Sequence, residues 1–316
     1  MKEVIMIVGL PASGKSTLVH QYPDYRILNR DTTGGNLNSL LGPMREALVE
    51  NDECVLLDNL NATVSSRKPF LDLAKELGVP VHCEWMTTSA EDCQINALLR
   101  MYKRYGQVFL HPDDIKVNGR AQCDSNIFPI SVIFHYKKVF EKPTKDEGFV
   151  SINKIVFNRQ WDRTEFVNKA LFLDYDGTVR DVINGEYKFP TKESEVKILP
   201  NVKETLKKYV ENDFLIFGVS NQSGIARGQV SDINVRKCFA ETNRQIGIDI
   251  PVSYCPHNVP PVCYCRKPQS GLAIPIICSN KINVKQSLVV GDQTTDMTFG
   301  KRLGMKTVKA EEFFGW

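Results

Sequence analysis

The first pattern suited to chemistry is GLPASGKST at residues 9–17, which fits G-x-x-x-x-G-K-[ST]. Its glycines let backbone N–H groups turn inward on phosphate oxygens, and the helix start that follows adds partial positive charge. In such a loop Lys15 would reach the β and γ phosphates of ATP, and the Ser16 hydroxyl would bind Mg²⁺. A chance glycine-rich turn is the alternative, which the strand-like run before the loop and the helix-compatible run after it disfavour. The residues predicted to bind ATP in this loop are Gly9, Gly14, Lys15, Ser16 and Thr17.

Two aspartates follow this loop at positions useful for phosphoryl transfer. Asp31, in NRDTTGG, could be a general base for an attacking hydroxyl, although an Asp in such a turn also commonly caps its own backbone. Asp58 ends the strand-like run VLLD and has the position of a Walker-B acid, although strand-end aspartates also cap turns. The residues alone leave both alternatives open for Asp31, the candidate base, and for Asp58, the candidate acid of the nucleotide site.

A second pattern, DYDGT at residues 174–178, ends another hydrophobic strand-like run. Asp174 could attack a phosphorus atom to give an acyl-phosphate, while Asp176 protonates the leaving oxygen. Asp174 and the main-chain carbonyl of Asp176 are also predicted to bind Mg²⁺. An acidic turn without chemistry is the alternative, but further motifs follow in the order that a phosphatase needs.

Those further motifs are also placed at the ends of strand-like runs. The hydroxyl of Ser220 and nearby backbone donors would hold phosphoryl oxygens, and Lys267 would neutralise the nucleophile and the developing charge. Asp292 is predicted to complete the Mg²⁺ site. Asp296 could instead hold Lys267 in place through an ion pair.

The third pattern is CPHNVPPVCYCRKP at residues 255–268, which contains three of the nine cysteines and one of the five histidines. Thiolate and imidazole groups in two tight pairs suit tetrahedral zinc, so we predict that Cys255, His257, Cys263 and Cys265 bind a structural Zn²⁺. A disulfide would leave His257 and one thiol unexplained, and the step from Cys263 to Cys265 lacks C-x-x-C spacing. Reduced free thiols are the remaining alternative.

Composition places limits on the partners. The hydrophobic and charged fractions, 42% and 24%, are those of a globular protein, and no apolar run is long enough to span a bilayer. The apolar N-terminus breaks within the glycine-rich loop, so we expect an intracellular protein, in cytoplasm or nucleus, with reduced cysteines. Cys54 and Cys278 lie in apolar runs and are expected in the core. A net charge of +3 predicts a grip on a few phosphates at a nucleic acid end, if any, and not on a whole duplex.

The elements that must position these residues alternate as strands and helices in two successive halves. Strand-like runs cover 4–8, 53–58 and 80–86, and then 169–174, 214–220 and 286–292. This alternation predicts an α/β protein with two domains, a P-loop kinase with a parallel sheet at 1–160 and a Rossmann-like phosphatase at 165–316. The boundary is expected near 160–168.

The first half resembles the kinase domain of polynucleotide kinase–phosphatases over most of residues 1–157. The resemblance lies in NRDTTGG, LLDNLNA, Ser66-Arg67 and KVFEKPTKDEGF. It implies ATP-dependent phosphorylation of 5′-hydroxyl ends of DNA or RNA, with Asp31 as general base. Where phage-type members carry an arginine three residues after that base, this chain has Gly34. In that family, a positively charged side chain from a helical lid also covers the triphosphate. That helix corresponds to residues 90–104, so the resemblance implies Arg100 in this role, with Arg104 as rival and a solvated helix face as the alternative.

The second half resembles haloacid dehalogenase-like phosphatases in DYDGT and the motifs that follow it. SNQSGIARG and the Cys/His segment are similar to the zinc-bearing histidinol-phosphate and heptose-bisphosphate phosphatases. FPTKESEVKILPNV and LGMKTVKAEEFFGW resemble the phosphatase domain of the animal-type kinase–phosphatase, which removes 3′-phosphates from nucleic acid ends. The kinase-first order is that of the phage enzymes.

Together these features predict a bifunctional enzyme that heals nucleic acid ends for DNA or RNA repair, with ATP, Mg²⁺ and structural Zn²⁺ as cofactors. Nucleic acid ends and a ligase are the expected partners, and no membrane is expected. The alternative is a small-molecule kinase joined to a sugar-phosphate phosphatase. A catalytically dead protein that binds strand ends is a third hypothesis, which the acids and lysines of both sites disfavour.

Overall fold

The computed structural model describes residues 2–117, 124, 126–161, 164–259 and 263–316. The chain divides into two compact units, the first comprising Met1–Ala97 and Arg120–Arg159 and the second Leu98–Gly119 and Gln160–Trp316. Residues 98–119 thus group with the second unit, whereas the sequence suggests them for the first domain. In the expected boundary region, Asp162 and Arg163 lie outside the described residues.

The first unit is built on a five-stranded parallel sheet with the strand order β2-β3-β1-β4-β5. Its strands are β1 (Val4–Val8), β2 (Arg26–Leu28), β3 (Val55–Asp58), β4 (Val81–Met86) and β5 (Ser151–Ile155). All five residues of β1 are buried, as expected for the central strand of a sheet covered on both faces. The carboxyl ends of β1, β2 and β3 therefore meet at one edge, where Gly9, Asp31 and Asp58 follow or end them.

Helices connect these strands. They are α1 (Lys15–Val19), α2 (Arg30–Thr33), α3 (Leu41–Val49), α4 (Val64–Glu76), α5 (Ala90–Tyr105), α6 (Pro112–Val117) and α7 (Ile130–Val139), with 3₁₀ turns at Leu37–Leu40 and Lys145–Glu147. Helix α4 carries Arg67, which is fully buried and donates to both carboxylate oxygens of Glu147 at 2.6 and 2.9 Å. This buried ion pair fixes the segment that leads into β5. Helix α5 begins in the first unit and from Leu98 onwards groups with the second.

The second unit contains another five-stranded parallel sheet, ordered β10-β9-β6-β11-β12, and a two-stranded antiparallel ribbon of β7 and β8. The strands are β6 (Lys169–Leu173), β7 (Arg180–Val182), β8 (Val196–Ile198), β9 (Phe214–Asn221), β10 (Val252–Cys255), β11 (Leu288–Gly291) and β12 (Lys306–Lys309). The helices are α8 (Val202–Glu211), α9 (Asp232–Ile246), α10 (Ala273–Ser279), α11 (Thr294–Leu303) and α12 (Ala310–Phe314), with 3₁₀ turns at Glu193–Glu195 and Val284–Gln286. Central β6 delivers Asp174 to the carboxyl edge between β9 and β11.

The α/β class and all six predicted strands are confirmed, with ends that differ by one or two residues. No cysteine in the described part of the chain forms a disulfide. Cys54 and Cys278 are only half-buried, so the expectation that they lie in the core was wrong. Cys54 precedes β3 and Cys278 lies one residue before the end of α10, where the apolar runs approach the surface. Over the described residues, no helix is long and apolar enough to cross a membrane.

Candidate active sites and metal centre

The glycine-rich loop of the first unit has the backbone that a phosphate cradle requires. Gly9 begins the loop after β1, and its N–H donates to the carbonyl of Leu60 at 3.1 Å. Gly14 has φ 99°, in the left-handed region that favours glycine, and helix α1 starts at the next residue. Lys15 is 9% exposed and its Nζ donates to the Leu10 carbonyl at 2.8 Å, which holds the ammonium group over the loop. Ser16 and Thr17 are exposed at the loop's outer end.

Residues from other elements hold this loop, and the sequence did not indicate them. Thr88 donates from Oγ1 to the Ser13 carbonyl at 2.7 Å, and Asn96 donates from Nδ2 to the Ala12 carbonyl at 2.9 Å. Arg159, after β5, donates in turn to Oδ1 of Asn96 at 2.9 Å. These bonds hold the carbonyl groups of Ala12 and Ser13 and so fix the backbone of the loop.

Asp31 lies in the short helix α2, which two asparagines pin to the end of β3. Its own N–H donates to Oδ1 of Asn29 at 2.7 Å, while Nδ2 of the same Asn29 donates to Asp58 at 3.0 Å. Asn59 accepts from the Arg30 N–H at 3.1 Å and donates to the Leu28 carbonyl at 3.2 Å. The Asp31 side chain is 50% exposed and can meet a substrate that arrives from solvent. Asn29 therefore connects the two predicted acids, a role that the sequence pattern had not revealed.

Asp58 is 7% exposed, and burial raises the pKa of its carboxyl group above the ordinary value. The Asn29 amide and the charge of Lys15 oppose that rise. A carboxylate at this position suits a cation near the phosphates, because a cation would replace the hydration that burial removes.

The two candidate lid arginines lie on the C-terminal part of helix α5. Arg100 is half-buried and Arg104 is exposed, with its guanidinium 5.7 Å from the centre of the Tyr105 ring. Both belong to the stretch of α5 that groups with the second unit. Contact of either one with ATP remains a prediction.

In the second unit, a buried lysine holds the predicted nucleophile. Lys267 is 4% exposed, and its Nζ lies 2.6 Å from Oδ1 of Asp174 and 2.7 Å from Oδ1 of Asp296. Burial raises the pKa of Asp174 to about 7, against the lowering effect of Lys267. The structure therefore gives Asp296 the position of an ion-pair partner for Lys267, the role suggested for it from the sequence.

Asp176 is held by two donors. Oδ1 accepts from Arg180 Nε at 2.8 Å, and Oδ2 accepts from Gln222 Nε2 at 2.6 Å. The same Gln222 nitrogen lies 2.8 Å from the Ser220 hydroxyl, which is 1% exposed at the end of β9. Gln222 thus joins the predicted acid to the predicted phosphoryl-binding serine, while Arg180 holds the other oxygen of the acid, and neither had been assigned a side-chain role from the sequence.

The chemistry of the donor set fits a divalent cation beside Asp174. Oxygen atoms of Asp174, Asp292 and Asp296 all lie within 4.8 Å of one another. Oδ1 of Asp292 is buried and has no hydrogen-bond partner among the described residues, an arrangement that a bound cation would satisfy. Gly177 has φ 80°, and a Cβ atom there would stand 2.8 Å from Oδ2 of Asp292. Asp174 and Asp292 are therefore the side chains that would hold Mg²⁺, with the Asp176 carbonyl as a further predicted ligand.

The four predicted zinc ligands converge. The sulfurs of Cys255 and Cys263 are 3.7 Å apart, and Nδ1 of His257 lies 3.5 Å from Cys255 Sγ and 3.2 Å from Cys265 Sγ. A tetrahedral zinc with bonds of about 2.3 Å to sulfur places neighbouring sulfurs about 3.8 Å apart, so the cluster fits this ion. Contacts from the other two thiols lower the pKa of Cys263, and contacts with the other thiols raise the pKa of Cys265. A cation is what would let all three sulfurs be thiolates together.

A segment that follows helix α5 packs on this cluster within the second unit. The rings of His111 and His257 are stacked, with centroids 4.2 Å apart and planes 9° apart. The Tyr264 N–H donates to the Leu110 carbonyl at 2.8 Å. The Cys/His segment therefore also anchors residues that precede the phosphatase motifs by more than sixty positions.

Comparisons with known proteins divide at the same place as the motifs. The family model described as an AAA domain matches residues 4–109, and the model described as polynucleotide kinase 3 phosphatase matches residues 169–314. A probable D-glycero-D-manno-heptose-1,7-bisphosphate 7-phosphatase of Thermoplasma volcanium is 34% identical over 140 residues, which are 43% of this chain and 93% of that enzyme.

Two further similarities are to a protein named as a bifunctional phosphatase/kinase and to a chain in an RNA repair complex. The bifunctional polynucleotide phosphatase/kinase of Schizosaccharomyces pombe is 29% identical over 159 residues, 49% of this chain but only 34% of the yeast protein. A chain in the structure of the Pnkp1/Rnl/Hen1 RNA repair complex matches 98% of this chain and 95% of its own length, at 16% identity and a TM-score of 0.30.

Proposed function

The second half of this chain belongs to the haloacid dehalogenase-like phosphatases, and we propose that the protein repairs nucleic acid ends. The chain joins a P-loop kinase domain to a domain that matches the polynucleotide kinase 3 phosphatase family. In this proposal the first domain phosphorylates 5′-hydroxyl ends with ATP. The second domain removes 3′-phosphates through an aspartyl-phosphate. The products are ends that a ligase of DNA or RNA can join.

One observation carries the proposal, namely the two halves in one chain. The 169–314 match to the polynucleotide phosphatase family is accompanied by a kinase half whose acid, Asp31, lies half-exposed in the short helix α2. An exposed base suits an acceptor that is the end of a large molecule, because such an end must enter from solvent. The similarity to the yeast phosphatase/kinase supports the same pairing.

In the kinase half, Asp31 takes the proton of the 5′-hydroxyl as its oxygen attacks the γ-phosphorus of ATP, and ADP leaves. Lys15 and backbone N–H groups at the start of helix α1 hold the phosphates, and Asn29 fixes the base relative to Asp58. A Mg²⁺ ion bound with ATP at Ser16 and Asp58 would neutralise phosphate charge. Arg100 or Arg104 is the proposed cation from the lid helix.

In the phosphatase half, Asp174 attacks the phosphorus of the 3′-phosphate and Asp176 gives its proton to the leaving 3′-oxygen. Lys267 keeps the nucleophile oriented through the 2.6 Å ion pair and offsets negative charge on the phosphoryl group. Ser220 and neighbouring N–H groups bind the phosphoryl oxygens. Mg²⁺ held by Asp174 and Asp292 would supply further positive charge to the same group.

Cys255, His257, Cys263 and Cys265 are proposed to hold a structural zinc. The loop they close ends two residues before Lys267, so a metal that pins the loop also fixes the entry of that lysine into the site. The proposed role of the ion is therefore in folding of the loop and not in the reaction.

A second candidate is a small-molecule kinase joined to a sugar-phosphate phosphatase. The observation in its favour is the 34% identity to an enzyme named for heptose bisphosphate, of which 93% is covered. That similarity concerns the second half alone, and it leaves the kinase half without a counterpart.

The two activities can be tested and separated with an oligonucleotide that carries a 5′-hydroxyl or a 3′-phosphate. We expect ATP-dependent labelling of the 5′ end that Lys15→Ala or Asp31→Ala abolishes while 3′-dephosphorylation stays intact. Asp174→Asn should remove dephosphorylation and leave labelling intact. Protein that labels no oligonucleotide but phosphorylates a sugar would contradict the proposal. The assay on matched DNA and RNA ends also determines which nucleic acid is preferred.

A further inference from the structure

A buried arginine contacts the predicted general acid of the phosphatase half. Arg180 follows the DYDGT turn and is 1% exposed. Its guanidinium carbon lies 4.7 Å from the centre of the Phe239 ring and 5.4 Å from that of Tyr175, and Nη1 donates to Thr242 at 3.0 Å. These contacts fix the side chain in one orientation, with Nε directed at Oδ1 of Asp176 at 2.8 Å.

The chemistry of the two donors to Asp176 differs. A guanidinium group is always protonated and only donates, so its bond to the Asp176 oxygen that faces it is stronger when that oxygen is ionised than when it carries a proton. The amide of Gln222 has both a donor and an acceptor, so rotation of that amide lets it accept from a protonated oxygen as well as donate to an ionised one. Gln222 is 3% exposed and faces Oδ2 at 2.6 Å.

We propose that Arg180 is a positioning residue that occupies Oδ1 of Asp176 and thereby assigns the transferable proton to Oδ2, on the side of Gln222 and Ser220. This assignment rests on the phosphatase half of the proposed function, but not on the nature of the phosphate ester. It concerns which oxygen of Asp176 donates the proton to the leaving group.

The reaction balances as follows. An Asp174 oxygen forms a bond to phosphorus, the bond from phosphorus to the ester oxygen breaks, and the proton on Asp176 Oδ2 passes to that oxygen, which leaves as an alcohol. Water then attacks the phosphorus of the aspartyl-phosphate and returns its proton to Oδ2. Phosphate leaves, Asp174 is regenerated, and Oδ1 stays bonded to Arg180 throughout.

The consequence is a dependence on the leaving group. An alkyl oxygen needs the proton of Asp176, whereas p-nitrophenolate is a stable anion that leaves without it. Loss of the Arg180 contact should therefore slow cleavage of β-glycerophosphate and spare cleavage of p-nitrophenyl phosphate. A merely structural role would slow both equally. The parameter to compare is kcat/KM, which includes the first phosphoryl transfer and excludes the later hydrolysis common to both compounds.

Two matched substitutions separate the contact from the packing. Arg180→Met places a methyl group where Nε stands, and Arg180→Gln restores an amide nitrogen at the same distance along the side chain. For Met we expect kcat/KM on β-glycerophosphate to fall about 30-fold and that on p-nitrophenyl phosphate to change by less than about threefold. The ratio to compare is kcat/KM on β-glycerophosphate divided by kcat/KM on p-nitrophenyl phosphate. The Gln variant should keep the wild-type value of this ratio within about threefold. In an Asp176→Asn background, Arg180→Met should not alter the ratio further.

Arg180→Lys covers the case in which the Met variant does not fold, because lysine keeps the charge but places a methylene beside Asp176. It should lower the ratio as Met does. Folded Met or Lys variants with the wild-type ratio, or with equal losses on both compounds, overturn this assignment alone. Wild-type protein that hydrolyses neither of these compounds nor the 3′-phosphate of an oligonucleotide overturns it together with the phosphatase half of the proposed function.

Discussion

Replacement of Lys267 by methionine removes the cation between two buried carboxylates. Lys267 lies 2.6 Å from Asp174 and 2.7 Å from Asp296, and it also donates to the Val219 carbonyl at 2.6 Å. At an effective dielectric constant near 20, each ion pair contributes about 6 kcal/mol of attraction. Desolvation of the three ions offsets much of this, so we expect Lys267→Met to destabilise the second unit by about 3–5 kcal/mol.

A second substitution separates stability from catalysis. Asp296→Asn in the Lys267→Met protein removes one of the uncompensated charges, so it should restore part of the lost stability. Phosphatase activity should stay about 10²–10³ below wild type in both variants, because neither offers a cation to the nucleophile and the phosphoryl group. Asp296→Asn alone serves as the reference for the effect of that change.

The assay follows hydrogen exchange of peptides that cover β6 and β9, because a two-unit chain does not unfold in one step. It is run without added Mg²⁺, so that a divalent cation does not replace the missing lysine. Exchange in Lys267→Met as slow as in wild type would refute the ion-pair reasoning. Recovery of activity in the double variant would refute the catalytic role of Lys267.

Three other predictions concern Asn29 beside the proposed kinase base, the Cys/His metal centre, and the buried ion pair of the first unit. Asn29→Ala should lower kinase activity about tenfold, because Asp31 loses its backbone cap, and an unchanged rate in an ATP-labelling assay would count against that link. Cys263→Ser should lose bound zinc by elemental analysis of the purified protein, whereas wild-type zinc content would exclude a cluster of four ligands. Arg67→Met should destabilise the first unit by about 3–5 kcal/mol, because Glu147 is left buried without its cation. Calorimetry measures this loss, and an unshifted transition would contradict it.

The strands and the motifs at their ends were predictable because both depend on local pattern. Strand β1, which ends at Val8, is buried along its whole length. Asp174 directly follows β6, which is also a largely buried hydrophobic strand. In parallel sheets the carboxyl ends of neighbouring strands lie together, so residues distant in sequence could be placed at one edge. The same reasoning anticipated the convergence of Cys255 and Cys265 in one short loop.

The supporting residues were not predictable, because their role depends on contacts between distant elements. Asn29 and Asn59 are ordinary turn residues by type, and only the fold brings Asn29 to Asp58 and Asn59 to Arg30. Arg180 resembles any charged residue near a turn until its burial is known. The stacking of His111 on His257 links positions 146 apart in sequence, which no local pattern encodes.

The proposal that both domains act on nucleic acid ends is tested most directly by a ligation experiment. A nicked duplex with a 5′-hydroxyl and a 3′-phosphate is offered to the protein with ATP and Mg²⁺, and a ligase that requires a 5′-phosphate and a 3′-hydroxyl is then added. We predict sealing with wild-type protein and none with Asp31→Ala or Asp174→Asn alone, and a mixture of these two variants should restore it. Nicks left unsealed by wild-type protein that dephosphorylates heptose 1,7-bisphosphate would contradict the account.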